Sequence, residues 1–231
     1  MRFDVLTLFP EMFSSVMSVS IIGNAVDSGI ISVNTINIRD FSKDKHKRVD
    51  DYPYGGGLGM VMQPQPIYDA YVSAVKDIDY KPKTIYMTPQ GKLFNQEIAK
   101  QLSAEKHLII LCGHYEGIDE RVIEQIVDEE ISVGDYVVTG GELPAMILID
   151  AVSRLIPGVL SDESAYTGES LYNGLLEYPQ YTRPAEFMGR LVPEVLLSGH
   201  HENIENWRNE MSLERTKFKR PDLYKKFFQS S

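Results

Sequence analysis

A single cysteine, Cys112, occurs among the 231 residues, so no disulfide can close within the chain and a reducing compartment is the expected setting. One cysteine and five scattered histidines also exclude a zinc ribbon or finger. No apolar run approaches the roughly 20 residues that a membrane helix needs. The opening residues Met1 to Leu6 enter a strand-like pattern at once, without the regions of a signal peptide, and a cytoplasmic protein is expected. Positive charge is short too. Lys and Arg number 23 against 33 Asp and Glu, and the net charge of −10 argues against a broad nucleic-acid surface. Two nucleotide fingerprints are also missing. No G-x-G-x-x-G leads from a strand into a helix, and no G-x-x-x-x-G-K-[ST] occurs. The run Y-G-G-G-L-G at 54–59 lacks a following Lys-Ser or Lys-Thr, so mobility or close packing against a ligand suits it better than phosphate binding. These absences disfavour a pyrophosphate cofactor and leave open a phosphate-free nucleoside held by backbone groups.

What is present is an ordinary globular composition, 43% apolar and 24% charged, able to build a core without staples. The positive charge that exists is gathered. Lys43, Lys45, Lys47 and Arg48 surround His46 in one loop, and Arg215, Lys217, Lys219, Arg220, Lys225 and Lys226 form a second cluster. Each island is compatible with a local RNA contact, and equally with a solvated face. Along the first two-thirds, strand-like and helix-like patterns alternate. Strands are predicted at 3–9, 31–38, 84–87, 107–112 and 130–133, and helices from Pro10, at 20–27, 66–78, 95–106, 118–127 and 142–156. That alternation predicts an α/β unit with a largely parallel sheet. Residues 39–65 carry no period over about 27 positions, past the usual limit of about 12–15 for an unstructured loop, so a functional or mobile segment is expected. The pattern dissolves again at 158–180, a linker expected to be poorly ordered without a ligand, and helical periodicity returns at 204–213 and 222–228. Trp207 and Met211 fall at helical spacing and read as core.

Three consecutive predicted strands end in glycine-punctuated segments: T-P-Q-G at 88–91, G-H-Y-E-G at 113–117 and G-D-Y-V-V-T-G-G at 134–141. Ligands of parallel sheets gather outside the carboxyl ends of strands, and glycine lets backbone approach a heterocycle or ribose. One such loop is commonplace. Three in series predict a small-molecule pocket.

Longer motifs carry a resemblance. R-D-F at 39–41, V-D-D-Y-P-Y-G-G-G-L-G-M at 49–60, C-G-H-Y-E-G-I-D-E-R-V at 112–122 and V-G-D-Y-V-V-T-G-G-E-L-P-A at 133–145 closely resemble the bacterial tRNA (guanine-N1)-methyltransferase family. So do S-R-L-I-P-G-V-L at 153–160, G-L-L-E-Y-P-Q-Y-T-R-P at 174–184 and V-L-L-S-G-H-H at 195–201, in order along nearly the whole chain. The resemblance implies a SPOUT-type α/β fold whose parallel sheet ends in a trefoil knot, followed by a small all-helical domain. The corresponding boundaries are a cofactor-binding domain at 1–160, a linker at 161–174 and a helical tRNA-binding domain at 175–231. It further implies a homodimer that methylates tRNA with S-adenosylmethionine, at the guanosine 3′-adjacent to the anticodon, with neither DNA nor a membrane as partner. Family members also use magnesium, for which the sequence offers no recognisable ligand cluster. Carried over residue by residue, the cofactor contacts fall on Tyr86, Thr88, Pro89, Gly113, Tyr115, Glu116, Val133, Gly134, Tyr136, Val138, Gly140, Gly141, Leu143 and Pro144.

Methyl transfer to guanine N1 requires loss of the N1 proton and stabilisation of charge on O6, for which a carboxylate and a permanent cation are natural. The family's cation falls on Arg154, which an i,i+4 pair with Asp150 would otherwise explain. The family's base, an aspartate in D-S-F, falls without a gap on Glu169 of E-S-L. Glutamate keeps the carboxylate and adds one methylene; Asp162 and Glu163 are stand-ins outside the matching frame. His46 and Asp50 are expected to hold tRNA, as are Ser198, Gly199, His201, Arg208, Arg215 and Lys217. Glu116 suits either a guanine edge or the cofactor amine. Three other readings compete: methylation of another RNA atom such as a ribose 2′-hydroxyl, a non-catalytic RNA- or nucleoside-binding protein, and a nicotinamide oxidoreductase, which lacks its fingerprint.

Overall fold

The structure is a computed structural model that describes residues 1–162 and 168–229. It divides into two compact units, Met1–Ser161 and Asp162–Ser231, and each is treated by itself.

Five strands of the first unit form one parallel sheet in the order β2-β1-β6-β5-β7, with β1 at Arg2–Thr7, β2 at Ser32–Asn37, β5 at Lys83–Leu93, β6 at His107–Cys112 and β7 at Glu129–Ser132. The apolar run of β6 is its signature as the middle strand: all six residues are buried. Alternate residues feed two cores. Phe3, Val5, Ile85, Leu108, Ile110 and Cys112 face one side, and Leu6, Tyr86, Ile109 and Leu111 face the other. Helices α1 (Glu11–Met17), α2 (Ser20–Asp27), α4 (Gln96–Ser103) and α6 (Glu142–Ser153) supply the first core, and α3 (Pro64–Val75) and α5 (Glu120–Ile126) the second. Full burial of one such Leu or Ile contributes about 1.5–3 kcal/mol, which anchors β6 beneath the loop at its carboxyl end.

Local signals fix the helix ends. Asn95 caps α4 by accepting from the amide of Ile98 at 3.0 Å, and Asp119 caps α5 by accepting from that of Arg121 at 3.0 Å. Gly29, at φ 73°, follows α2 where a left-handed residue is wanted. The aperiodic stretch 39–65 is not wholly irregular. It contains a 3₁₀ turn, Ile38–Phe41, and a two-stranded ribbon of β3 (Asp50–Asp51) and β4 (Val61–Met62), strands too short to show alternation.

The first of the three expected strand-end loops proves to be an excursion inside a strand. Met87 pairs with Ile131, the register shifts, and Lys92 and Leu93 return to Ile131 and Ser132. Residues 88–91 bulge from the ladder, where Pro89 needs no partner for the amide proton it lacks. A Cβ on Gly91 would strike the backbone of Glu130 and Ile131, so glycine is required there.

The second unit is built on helices His201–Lys219 and Pro221–Gln229, with a short turn of helix at Glu194–Leu197. It is not wholly helical. Glu186–Phe187 and Arg190–Leu191 pair as a hairpin turned by Met188 and Gly189, at φ 52° and 74°. Trp207 is half-buried against Tyr178 and Tyr181, with ring centroids 6.4 and 6.3 Å away, and Met211 is half-buried too. Part of the linker expected to be poorly ordered, residues 163–167 with Glu163 among them, lies outside the described residues.

Candidate functional site

The carboxyl ends of β6 and β7, with the bulge of β5 between them, enclose a cavity of about 490 Å³. Strand order explains it. β6, β5 and β7 are neighbours, so their outgoing segments share one edge of the sheet. Backbone bonds knit the walls: Gly141 N donates to Gly113 O at 2.9 Å, Gly117 N to His114 O at 3.1 Å, and the hydroxyl of Ser132 to Gly134 O at 3.0 Å. The β3–β4 ribbon buttresses the 113–119 wall, with Glu116 N donating to Met60 O at 3.0 Å and Met62 N to Gly117 O at 2.9 Å. Gly59 lies so close to Glu116 that a Cβ there would overlap its carboxylate. The Y-G-G-G-L-G run thus meets the cavity wall, while its Tyr54 and Leu58 are 98% and 94% exposed.

The lining is chemically one-sided. It includes Glu116, Glu120 and Glu130, and among the described residues it contains no lysine or arginine. A polyphosphate would be desolvated there without a counter-charge, whereas a cationic or neutral nucleoside would not. Backbone access is arranged by glycine. A Cβ on Gly113 would stand 2.8 Å from the hydroxyl of Tyr86, and one on Gly134 would collide with the ring of Tyr136. Tyr115 is held at φ 60°, a left-handed conformation rare for an aromatic residue and found where a site constrains its backbone. Burial pushes the Tyr86 phenol above its ordinary pKa, although a hydrogen bond with Thr88 opposes the shift, so it stays neutral. Burial, with Glu142 nearby, raises the Cys112 thiol well above its usual value, which removes it as a nucleophile.

Of the expected cofactor residues, the cavity gathers Tyr86, Thr88 and Pro89 from β5, Gly113, Tyr115 and Glu116 after β6, and Val133, Gly134, Tyr136, Val138, Gly140, Gly141 and Pro144 after β7. Leu143 is not among them; it is 50% exposed on α6. His114, Glu120 and Glu130 line the cavity without having been expected. Arg154 caps the carboxyl end of α6 in the first unit, half-buried, and Glu169 is exposed in the second. Of the expected tRNA residues, His46 is exposed and Asp50 opens β3. Ser198, Gly199, His201 and Lys217 are exposed in the second unit, Arg215 is half-buried, and the Arg208 guanidinium stacks over the Tyr178 ring at 4.9 Å. Among the described residues, no group of three or more His, Cys, Asp and Glu could hold a metal ion, and no helix is long and apolar enough to cross a membrane.

The family model described as tRNA (Guanine-1)-methyltransferase TrmD matches residues 1–226. The chain belongs to this family. Relatives match along nearly their whole lengths. A protein of Ruminiclostridium cellulolyticum named tRNA (guanine-N(1)-)-methyltransferase is 67% identical over 226 residues, covering 98% of this chain and 97% of its own. One of the same name from Clostridioides difficile is 60% identical, covering 98% of each. A third, from Clostridium botulinum, is 60% identical over 98% of this chain and 93% of its own. Family membership therefore extends over both units, the cavity and the second unit's helices alike.

Proposed function

We propose that this protein methylates N1 of the guanosine 3′-adjacent to the anticodon in tRNA, with S-adenosylmethionine as donor, in the cytoplasm. The observation that carries the reading is a cavity without Lys or Arg, enclosed by three neighbouring strand segments, in a chain that matches the TrmD family over 226 residues. The donor set fits the group. S-Adenosylmethionine bears no phosphate and carries positive charge on sulfur and on its amino group, and the wall offers Glu116, Glu120 and Glu130 with the side-chain-free Gly113, Gly134 and Gly140. When bound, it supplies an electrophilic methyl group.

The chain's own part is positioning and proton handling. Glu169 takes the N1 proton of guanine, and the Arg154 guanidinium, fixed at the end of α6, stabilises the charge that then gathers on O6. The two belong to different units of the chain, and the reading has Glu169 of one subunit serve the cavity of another. Pairing of two copies is supported by an apolar surface on α1 and α6, where Met12, Val16, Leu143 and Ile147 are exposed large side chains on helices in contact. The segment after edge strand β7 returns over the end of β6, where Gly141 bonds Gly113, which supports the knotted SPOUT topology. His46, Asp50 and the exposed residues of 198–217 would hold the tRNA. The described residues offer no cluster for magnesium, and none of these steps is routed through one.

Transfer of a labelled methyl group to tRNA bearing guanosine or inosine at the target position, with the product located by nuclease digestion and mass spectrometry, tests the reading. The expected product is N1-methylguanosine. A methyl group on a ribose hydroxyl, or binding without transfer, overturns it. In single turnover, Glu169→Gln should slow transfer by about 10²–10⁴-fold, the usual contribution of a general base. An unchanged rate would remove Glu169 from the role.

A further inference from the structure

Glu142, the first residue of α6, is 2% exposed beside the cavity, and nothing in the proposed chemistry employs it. Its carboxylate is aimed. The Thr7 hydroxyl accepts from the Phe9 amide at 2.9 Å and so sends its own proton to Glu142 Oε1 at 2.8 Å. The other oxygen, Oε2, reaches the open space over Gly140, where a Cβ would collide with it. The same space is bordered by Nδ1 of His114, 2.6 Å from that Cβ position. This nitrogen is buried and has no hydrogen-bond partner. The ring is held from two sides, by Phe9 with centroids 5.2 Å apart and by Tyr115 at 5.0 Å.

A carboxylate oxygen only accepts, so a bare Nδ1 lone pair facing it would be repelled and left unsatisfied, at a cost of about 1–3 kcal/mol. A proton on Nδ1 removes the conflict, with donation toward Oε2 across the gap that Gly140 leaves, directly or through one water. We propose that Glu142 holds His114 as its Nδ1–H tautomer, so that Nε2 stands in the cavity as a fixed acceptor for an N–H of the nucleoside ligand. Glu142 is the positioning residue and His114 the contact. That the ligand is a nucleoside rests on the proposed function; the tautomer does not.

Nitrogen-15 correlation spectra of the imidazoles, with His114 assigned through His114→Gln, read the tautomer directly in the ligand-free protein. The wild type should show Nδ1 protonated and Nε2 bare. In Glu142→Gln the Thr7 bond to the amide oxygen persists and the amide nitrogen donates to Nδ1, so the tautomer should reverse. An Nε2–H tautomer in the wild type overturns the proposal, and that spectrum suffices if Glu142→Gln does not fold. His114→Asn keeps a polar group near the Nδ1 position and loses Nε2. It should weaken one binding event by about tenfold, the value of one hydrogen bond. Calorimetry with S-adenosylhomocysteine reads the cofactor's N–H groups, and KM for tRNA reads those of guanine. If neither moves, the acceptor role is refuted. Should no methyl transfer occur at all, the tautomer result still stands, and the failure belongs to the proposed function.

Discussion

Replacing Gly141 by alanine isolates what the close approach of α6 to β6 is worth. The backbone there is ordinary, at φ −76° and ψ −6°, so alanine meets no torsional penalty and only space is at issue. The new Cβ would stand 2.7 Å from Cys112 Cα and 2.9 Å from Gly113 N, where carbon contacts prefer about 3.5–4.0 Å. Both atoms are backbone at the end of the fully buried β6 and cannot swing aside. The start of α6 must lift, which breaks the 2.9 Å bond from Gly141 N to Gly113 O. Overpacking costs about 1–3 kcal/mol and the lost bond about 1, together roughly 2–4 kcal/mol. For a chain of this size that lowers Tm by roughly 5–15 °C. The cavity wall moves with it, and affinity for S-adenosylhomocysteine should fall by at least about tenfold, the equivalent of one lost hydrogen bond. Gly29→Ala is the control. Nothing lies within 4 Å of its added carbon, but φ is +73°, so it should cost about 1–2 kcal/mol of strain and leave binding alone. Wild-type Tm and affinity in Gly141→Ala, or equal loss of binding in Gly29→Ala, would refute the reasoning.

Two further perturbations probe each unit's interior. Asp4 and His107 are both fully buried, with His107 Nε2 3.0 Å from Asp4 Oδ2; Arg2 and Asn34 donate to Oδ1, each at 2.9 Å. Burial alone would raise the Asp4 pKa, but the hydrogen bonds from His107, Arg2 and Asn34 outweigh it and hold the carboxyl below its ordinary value. A depressed pKa means stability that is present above the unfolded value of about 3.9 and lost as pH falls through the folded one. Asp4→Asn should therefore lower stability by about 2–4 kcal/mol at neutral pH, somewhat under the usual loss for a broken buried pair because Arg2 touches water. The deficit should shrink below about pH 4; a Tm difference constant from pH 7 to 3 would contradict the assignment. In the second unit, the fully buried Thr216 hydroxyl accepts from Leu176 N at 2.9 Å and donates to Ser212 O at 2.7 Å. Thr216→Val orphans that amide, at about 1–3 kcal/mol, and should speed hydrogen exchange at Leu176. Unchanged protection there would show that the bond does not hold the segment.

Elements with a continuous apolar pattern or a clear stop signal are legible from the sequence, and elements defined by distant partners are not. The strand at 107–112 and the helix at 20–27 have the bounds their patterns predict, because β6 is buried throughout and apolar from Leu108 onward, and α2 stops where Gly29 permits a left-handed turn. The two-residue strands β3 and β4 and the hairpin at Met188 and Gly189 carry too few positions for any period. The excursion at 88–91 looks terminal because Pro89 and Gly91 are breakers in isolation; only pairing of Lys92 with Ile131 shows that the strand resumes. At the site, the cavity gathers every cofactor residue that the family resemblance implies except Leu143, whose side chain is 50% exposed on α6. His114 has no sequence signal of its own. What marks it is a nitrogen without a partner, a property of three dimensions.

Charge is where sequence and structure together say more than either. The basic island at 43–48 reads from the sequence equally as a local RNA contact or a solvated face; in the structure Lys43 pairs with Asp69 at 3.6 Å, Lys47 with Asp40 at 2.9 Å and Arg48 with Asp44 at 3.0 Å. Such exposed pairs are worth about 0–1 kcal/mol each, so a phosphate can displace the acid at little cost, but the loop exerts little field beforehand. Arg215, Lys217 and Lys219 have no ion pair among the described residues, so on the proposed reading they are the local charges that would draw a polyanion. The cavity works in the opposite sense. Among the described residues its wall carries Glu116, Glu120 and Glu130 and no lysine or arginine, a charge that opposes a phosphate backbone and does not oppose an uncharged base. On the proposed reading, an RNA held by the second unit can satisfy both fields only by keeping its backbone outside and sending one base out of the stack into the cavity. The acidity that argues against a broad nucleic-acid surface then acts as the filter that keeps the phosphate backbone out and lets the base in beside the cofactor.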